Sequence, residues 1–244
     1  MDETGFLLPS EKTQDLGHGL RIIQNSEYFP FGTDAVLLAD FAKMNRGERA
    51  ADLGTGCGII PILMCARLKG IHVTGIEIQE PLADMAKRSV LLNGLGESIT
   101  IIRGDFREPG TAAPGFDAVV SNPPYEKKNS GMRSENESRN VAKREEMCTL
   151  EDVLAAASRL LRAGGRLYMI YRTERFAELM EKMRRSGLEP KRVLLVSQRT
   201  GEAPNFALVE GRKGAKEGVK FLPPLAVYEK DASYTPQAKK IYRI

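Results

Sequence analysis

The sequence predicts an α/β fold: a seven-stranded, mostly parallel sheet with helices on both faces, closed by a C-terminal antiparallel hairpin. Three observations predict it. From Arg49 onward, short apolar strands alternate with helical stretches, the pattern of a parallel sheet. A glycine loop, Gly54-Thr55-Gly56-Cys57-Gly58, follows the first of those strands at once. The last two strands, Arg192–Ser197 and Phe206–Glu210, are joined by a link too short for a crossover helix, so they pair as a hairpin.

The elements follow in order. Leu20–Gln24 reads as a strand behind the turn Gly17-His18-Gly19. Tyr28-Phe29-Pro30-Phe31-Gly32 is an aromatic loop feeding a helix over Ala35–Ala42, with Thr33 as its N-cap and Asp34 in its first turn. Phe29 and Phe31 read either as a hydrophobic staple or as a wall over a ligand. Arg49–Leu53 is the first core strand, and Ile59–Leu68 a buried helix whose Pro61 must lie in its first turn. His72–Ile78 is a strand, and Pro81–Leu92 a helix closed by Asn93-Gly94. Ser98–Arg103 is a strand followed by Gly104-Asp105-Phe106. Phe116–Ser121 is the next strand, and Asn122-Pro123-Pro124-Tyr125 ends it, because proline has no N–H for a sheet ladder. Glu126–Cys148 is charged and aperiodic, a polar insertion of a kind that is often functional. Leu150–Leu161 is a helix, Arg166–Tyr171 a strand beyond Gly164-Gly165, and Thr173 the cap of a helix running to about Ser186. In the tail, Leu222–Tyr228 reads as extended.

We divide the chain into an N-terminal strand and helix extension (1–47), the α/β domain (48–212) and a basic C-terminal extension (213–244). The 244 residues are 42% hydrophobic and 28% charged, which suits one large domain with extensions. No run of about 18 apolar residues indicates a membrane span, and Met1–Leu8 lacks the pattern of a secretory signal. Cys57, Cys65, Cys148, His18 and His72 show neither metal-ligand nor disulfide spacing, so no metal is expected and a reducing cytoplasm is the simple reading. The net charge is +4, and Lys191–Ile244 alone holds 11 Lys+Arg against 5 Asp+Glu, leaving 25 against 27 elsewhere. That surplus suits a polyanion such as nucleic acid, and equally suits solvated lysines. Oligomeric state is not legible; a monomer is the simple expectation.

The glycine loop fits a dinucleotide poorly, since its third glycine comes two positions after the second and Pro61 sits in the early helix. No lysine follows as in a phosphate loop. Glu77 ends the next strand, where an acid accepts hydrogen bonds from both hydroxyls of a ribose. Asp105 could take an adenine amino group, and Phe106 could cover the ring. The set suits a nucleoside with a zwitterionic tail.

These residues resemble the class I methyltransferases that use S-adenosylmethionine, a Rossmann-like fold with a terminal antiparallel hairpin. Asp52-Leu53-Gly54-Thr55-Gly56-Cys57-Gly58 is similar to their first motif, Glu77 with Ile78 to their ribose acid, and Asp105 with Phe106 to their adenine side. Asn122-Pro123-Pro124-Tyr125 resembles the fourth motif of the amino-group enzymes. There the Asn122 side-chain oxygen and the Pro123 carbonyl would accept the hydrogens of a weakly nucleophilic amine, Pro124 would stiffen the loop, and Tyr125 would stack on the target. Glutamine-amide methyltransferases of release factors share the motif, as do enzymes for base amines in rRNA or DNA. About 50 residues precede Asp52, short of the helical domain of the former, and little room is left for a DNA-recognition domain. A non-catalytic RNA-binding module and a nicotinamide-dependent oxidoreductase are the remaining alternatives.

Over nearly the whole chain, Phe29–Leu38, Ser121–Tyr125, Val141–Glu145 and Leu222–Thr235 resemble the bacterial tRNA(1)(Val) adenine-N6 methyltransferase family. The family implies methylation of adenosine 37 in tRNA, with S-adenosylhomocysteine as the product. On this reading Phe31 and Thr33 would border the methionine end of the cofactor. Lys127, Lys128, Arg133, Arg139, Lys143 and Arg144 would hold RNA phosphates. The family often has an arginine where Lys143 stands.

Overall fold

The computed structural model describes residues 4–26, 28, 32–123 and 148–242. Phe31, Pro124, Tyr125, Lys127, Lys128, Arg133, Arg139, Lys143 and Arg144 lie outside the described residues.

β1 (Glu11–Gly17) and β2 (Leu20–Asn25) form a separate antiparallel hairpin around the Gly17-His18-Gly19 turn, in which all three residues have positive φ. Its inner strand docks on helix α3 (Glu80–Leu92): the Ile23 N–H donates to Ser89 Oγ at 3.0 Å, and the Arg21 N–H to Asn93 Oδ1 at 2.9 Å.

The main sheet contains β3 (Arg49–Leu53), β4 (His72–Glu77), β5 (Ile99–Arg103), β6 (Phe116–Ser121), β7 (Leu161–Arg172), β8 (Leu188–Arg199) and β9 (Phe206–Lys213). Their order across the sheet is β5-β4-β3-β6-β7-β9-β8, with β9 antiparallel to both its neighbours. The chain order reverses between β3 and β6, the switch point where open α/β sheets bind ligands.

Seven strands were expected in this sheet, and among the described residues it has nine. β10 (Lys220–Phe221) and β11 (Leu225–Tyr228) both pair parallel to the outer edge of β8, so the C-terminal extension continues the sheet. This covers an edge strand that would otherwise expose unpaired N–H and C=O groups.

Helices α1 (Thr33–Phe41), α2 (Ile59–Arg67) and α3 cover one face, joined there by α6 (Pro236–Tyr242). On the opposite face lie α4 (Leu150–Leu160) and α5 (Phe176–Arg185). The central strands are buried on both sides, as parallel strands covered by helices must be, and Ala50, Ala51, Val73, Ile76, Val119 and Val120 have no exposed surface. Tyr168 fixes the end of α1: its hydroxyl donates to the Lys43 carbonyl at 2.8 Å, and the Phe41 ring meets it edge-on. No helix among the described residues is long and apolar enough to cross a membrane.

Two expected caps are corrected. The N-cap of α1 is Gly32, in extended backbone, and Thr33 is the first helical residue. Thr173 caps nothing; its hydroxyl donates to the Pro204 carbonyl at 2.7 Å, because β7 runs on to Arg172 and a 3-10 turn intervenes before α5. Thr149 does cap α4, in a reciprocal capping box with Asp152. The Gly164-Gly165 pair lies inside β7, where the register against β6 slips, rather than in a loop before it.

Candidate active site

β3, β4, β5 and β6 all end at one edge of the sheet. The loops that leave them line a cleft of about 530 Å³, a size ordinary for a small-molecule site.

The glycine loop forms the floor. Gly54, Gly56 and Gly58 all have positive φ, between 57° and 88°, a region costly for residues with a Cβ. The Gly54 and Thr55 N–H groups both donate to the Ile76 carbonyl, at 2.9 and 3.1 Å. Thr55 then turns back, and its hydroxyl donates to Asp52 Oδ2 at 2.6 Å. This close fold needs Gly75 in β4: a Cβ there would stand 2.8 Å from Thr55 Oγ1 and 2.8 Å from Ile101 Cδ1. Asp52 has no exposed surface, and among the described residues its Oδ1 has no hydrogen-bond partner. Burial pushes its carboxyl up to about 7; the Thr55 hydroxyl opposes that shift, and the nearby Glu77 charge adds to it.

Glu77 is 5% exposed, and both its oxygens are held by main chain. Oε2 accepts from the Gly56 N–H at 2.9 Å, and Oε1 from the Gln79 N–H at 2.9 Å. One carboxylate thus links the glycine loop to the start of α3. Each oxygen keeps a lone pair, which a ribose hydroxyl could use. Ile78 beside it is 43% exposed and forms an apolar wall of the cleft.

After β5, Arg107 chelates Asp105: its Nε lies 2.9 Å from both carboxylate oxygens, and its Nη2 lies 2.5 Å from Oδ2. That guanidinium holds the Asp105 carboxyl below the usual carboxylate range, against the opposing effect of burial. The Phe106 carbonyl accepts from Arg159 at 2.5 Å, anchoring the loop to α4.

Asn122 and Pro123 leave β6 on the other side of the cleft. In register, Ser121 faces Leu53, so Gly54 and Asn122 exit the sheet side by side. The Ser121 hydroxyl donates to the Leu53 carbonyl at 3.1 Å and ties the two ends together. Asn122 Nδ2 donates to Asp34 Oδ2 at 3.4 Å.

Of the predicted residues, Gly54, Thr55, Gly56, Cys57, Glu77, Ile78, Asp105, Phe106, Asn122 and Pro123 all line the one cleft. Asp52 and Gly58 shape the loop from beneath it. Thr33 does not line the cleft; its carbonyl accepts from the Tyr242 hydroxyl at 3.4 Å. Tyr242 stacks on Tyr234, and Tyr234 on Tyr228, so the C-terminal strand and helix brace the start of α1. Sequence reasoning missed Asp34 and Arg107. It also missed Arg172 at the end of β7, whose guanidinium sits 4.3 Å over the Phe206 ring at the cleft. Among the described residues no three His, Cys, Asp or Glu side chains gather as a metal site, and the three cysteines are free.

The residues present fit S-adenosylmethionine. Glu77 offers acceptors for a ribose, and Ile78 and Phe106 offer apolar faces for an adenine.

Residues 29–187 match the methyltransferase small domain family. The chain is similar to a tRNA1(Val) (adenine(37)-N6)-methyltransferase of Porphyromonas gingivalis, 30% identical over 220 residues that cover 84% of each chain. A protein of the same name from Tolumonas auensis is 27% identical over 208 residues, covering 84% of this chain and 85% of that one. Among solved structures, the fold is similar to a predicted O-methyltransferase from Agrobacterium tumefaciens, with a TM-score of 0.69 and 26% identity, covering 86% of this chain and 95% of that one. A geranyl diphosphate C-methyltransferase from Streptomyces coelicolor, in complex with S-adenosyl-L-homocysteine, superposes with a TM-score of 0.51 at 15% identity, covering 74% and 75%. The last of these shows the fold alone.

Proposed function

Because this chain belongs to the methyltransferase small domain family, we propose that it transfers the methyl group of S-adenosylmethionine to the N6 amine of an adenine in tRNA, at position 37 beside the anticodon. The observation that carries the reading is the register of β3 against β6, which sets the Asn122-Pro123 acceptors beside the glycine loop at one sheet edge. The names of the Porphyromonas and Tolumonas relatives support the substrate.

S-adenosylmethionine, when bound, supplies an electrophilic methyl on a sulfonium. The chain's own residues do the rest. Glu77 holds the ribose, and Ile78 and Phe106 enclose the adenine of the cofactor. Asn122 Oδ1 and the Pro123 carbonyl accept the two hydrogens of the target amine. This draws its lone pair out of conjugation with the ring and stabilises the positive charge that develops on nitrogen. No strong base is required, because the nitrogen proton becomes acidic once the new N–C bond forms. Tyr125 stacks on the target base. Lys127, Lys128, Arg133, Arg139, Lys143 and Arg144 bind tRNA phosphates, as do basic residues of the C-terminal segment. The enzyme works in the cytoplasm and as a monomer.

Incubation of the purified protein with labelled cofactor and tRNA from a strain lacking it tests the reading. N6-methyladenosine at position 37 is the expected product by nucleoside mass spectrometry. Label found in protein, or none in adenosine, refutes it.

A further inference from the structure

We propose that Asp34 is a positioning residue that locks the Asn122 side-chain amide with its oxygen facing the substrate amine. The inference rests on the amine-methylating role of Asn122 given above and names a residue that role depends on.

An asparagine amide has two faces of nearly equal shape and opposite chemistry. Only the oxygen can accept a hydrogen from the target amine; the NH2 turned the same way would oppose it, donor to donor. Something must choose between the two orientations before substrate arrives. A carboxylate accepts and does not donate, so the Nδ2 of Asn122 turns to Asp34 Oδ2, 3.4 Å away. The oxygen is then left on the other side, and among the described residues it accepts no hydrogen bond. The contact is long for N–H···O, as catalytic contacts often are before the substrate tightens them.

Two features around Asp34 serve this contact. The first is Gly32. A Cβ at position 32 would overlap Asp34 Oδ1, so any side chain there pushes the carboxylate from its place. Gly32 has an ordinary extended backbone, φ −97° and ψ 177°, so its lack of a side chain matters here and its conformational freedom does not. The second is Tyr242, which donates to the carbonyl of Thr33 and so holds the residue before Asp34 from the far end of the chain. Gly32, Asp34 and Asn122 all line the same cleft. A carboxylate in the first turn of α1 would also favour the helix N-terminus, so the experiment has to separate that structural role from positioning.

Single-turnover methylation of tRNA by the full-length protein is compared among Asp34→Ala, Asp34→Asn, Gly32→Ala, Asn122→Ala and the Asp34→Ala/Asn122→Ala double variant. Cofactor affinity by calorimetry and melting temperature are measured alongside. Losing the lock is expected to lower the methyl-transfer rate about 10- to 100-fold, the worth of one hydrogen bond to a charged group, with cofactor affinity unchanged. Gly32→Ala is expected to fall in the same direction. Asp34→Asn, whose own amide oxygen can still accept from Asn122, lies between Ala and the parent. In the Asn122→Ala background the Asp34→Ala loss disappears, since there is no amide left to orient. Equal loss from Asp34→Ala in both backgrounds overturns the inference, as does a full rate in Asp34→Ala or an Asp34→Asn variant as poor as Ala. If Asn122→Ala is itself fully active, the proposed function loses its acceptor. If Asn122→Ala is impaired and Asp34→Ala is not, only the positioning role fails.

Discussion

Asp52→Asn tests whether the acid under the glycine loop is held as an uncharged group. The Asp52 carboxyl is pushed up to about 7 from an ordinary 3.8, chiefly by burial. The folded value lies above the unfolded one, so between these two pH values the native protein retains a proton that the unfolded chain has released. Stability must therefore fall as pH rises through that window, at up to about 1.4 kcal/mol per pH unit, and level off above about 7. From pH 5 to pH 8 the loss comes to about 3 kcal/mol. An asparagine removes the charge and keeps an oxygen to accept from Thr55 Oγ1. Its stability relative to the parent should rise by that same amount across the interval. At the size of this chain the gain is equivalent to a melting temperature higher by roughly 6–12 °C at pH 8 than at pH 5, relative to the parent.

The measurement is chemical denaturation of parent and variant at pH 5, 6, 7 and 8. Other carboxyls do not confuse it. Glu178 is held down at about 2 by Arg175, despite burial, and Arg88 and Arg107 lower Glu11 and Asp105. Their stabilisation is present above the unfolded values and is lost as pH falls through the depressed ones, below the interval from pH 5 to pH 8. A variant-minus-parent difference that stays flat from pH 5 to pH 8 would refute the assignment of Asp52 as a neutral buried acid.

Three further perturbations read other parts of the site. Glu77→Ala removes the acceptor of the Gly56 and Gln79 N–H groups together with the ribose contact. Cofactor Kd by calorimetry should rise about 10- to 100-fold, from loss of hydrogen bonds to a charged group; an unchanged Kd excludes the role. Gly75→Ala sets a Cβ 2.8 Å from Thr55 Oγ1 and 2.9 Å from its Cγ2. Overpacking of this kind costs about 1–3 kcal/mol, visible as a lower melting temperature and weaker cofactor binding; a parent-like melt would mean the loop moves aside freely. Lys143→Ala with Arg144→Ala should weaken tRNA binding without regard to sequence. The slope of log affinity against log salt should become shallower by about one for each phosphate no longer neutralised. An unaltered slope takes those two residues off the RNA.

The cofactor side was legible because its parts are contiguous in the chain. A strand, three glycines at alternate positions and an acid ending the next strand can be recognised without knowing how the sheet is ordered. The partners that give those parts their chemistry were not legible, for two different reasons. Arg107 lies two residues from Asp105, yet a lone arginine in a polar loop carries no local signal of chelation. Asp34 lies 88 residues from Asn122, and its position in a first helical turn already had a sufficient local explanation in the helix dipole. The same competition misassigned Thr173: its sequence fits a cap, but β7 carries it past the turn to the Pro204 carbonyl. Leu222–Tyr228 reads as extended in the sequence and β11 bears that out, but β10 and β11, of two and four residues, are too short to show which strand they join. Only the exposed edge of β8 makes strands of them. Except at Arg107, the deciding partner comes from a distant segment brought close by the fold. Polar groups at neighbouring strand ends therefore have to be judged as a set. Gly32 and Gly75 belong to that set: they stand outside the glycine motif yet serve the same site. Each leaves out a Cβ where a side chain from the binding machinery, the Asp34 carboxylate or the Thr55 hydroxyl, has to lie.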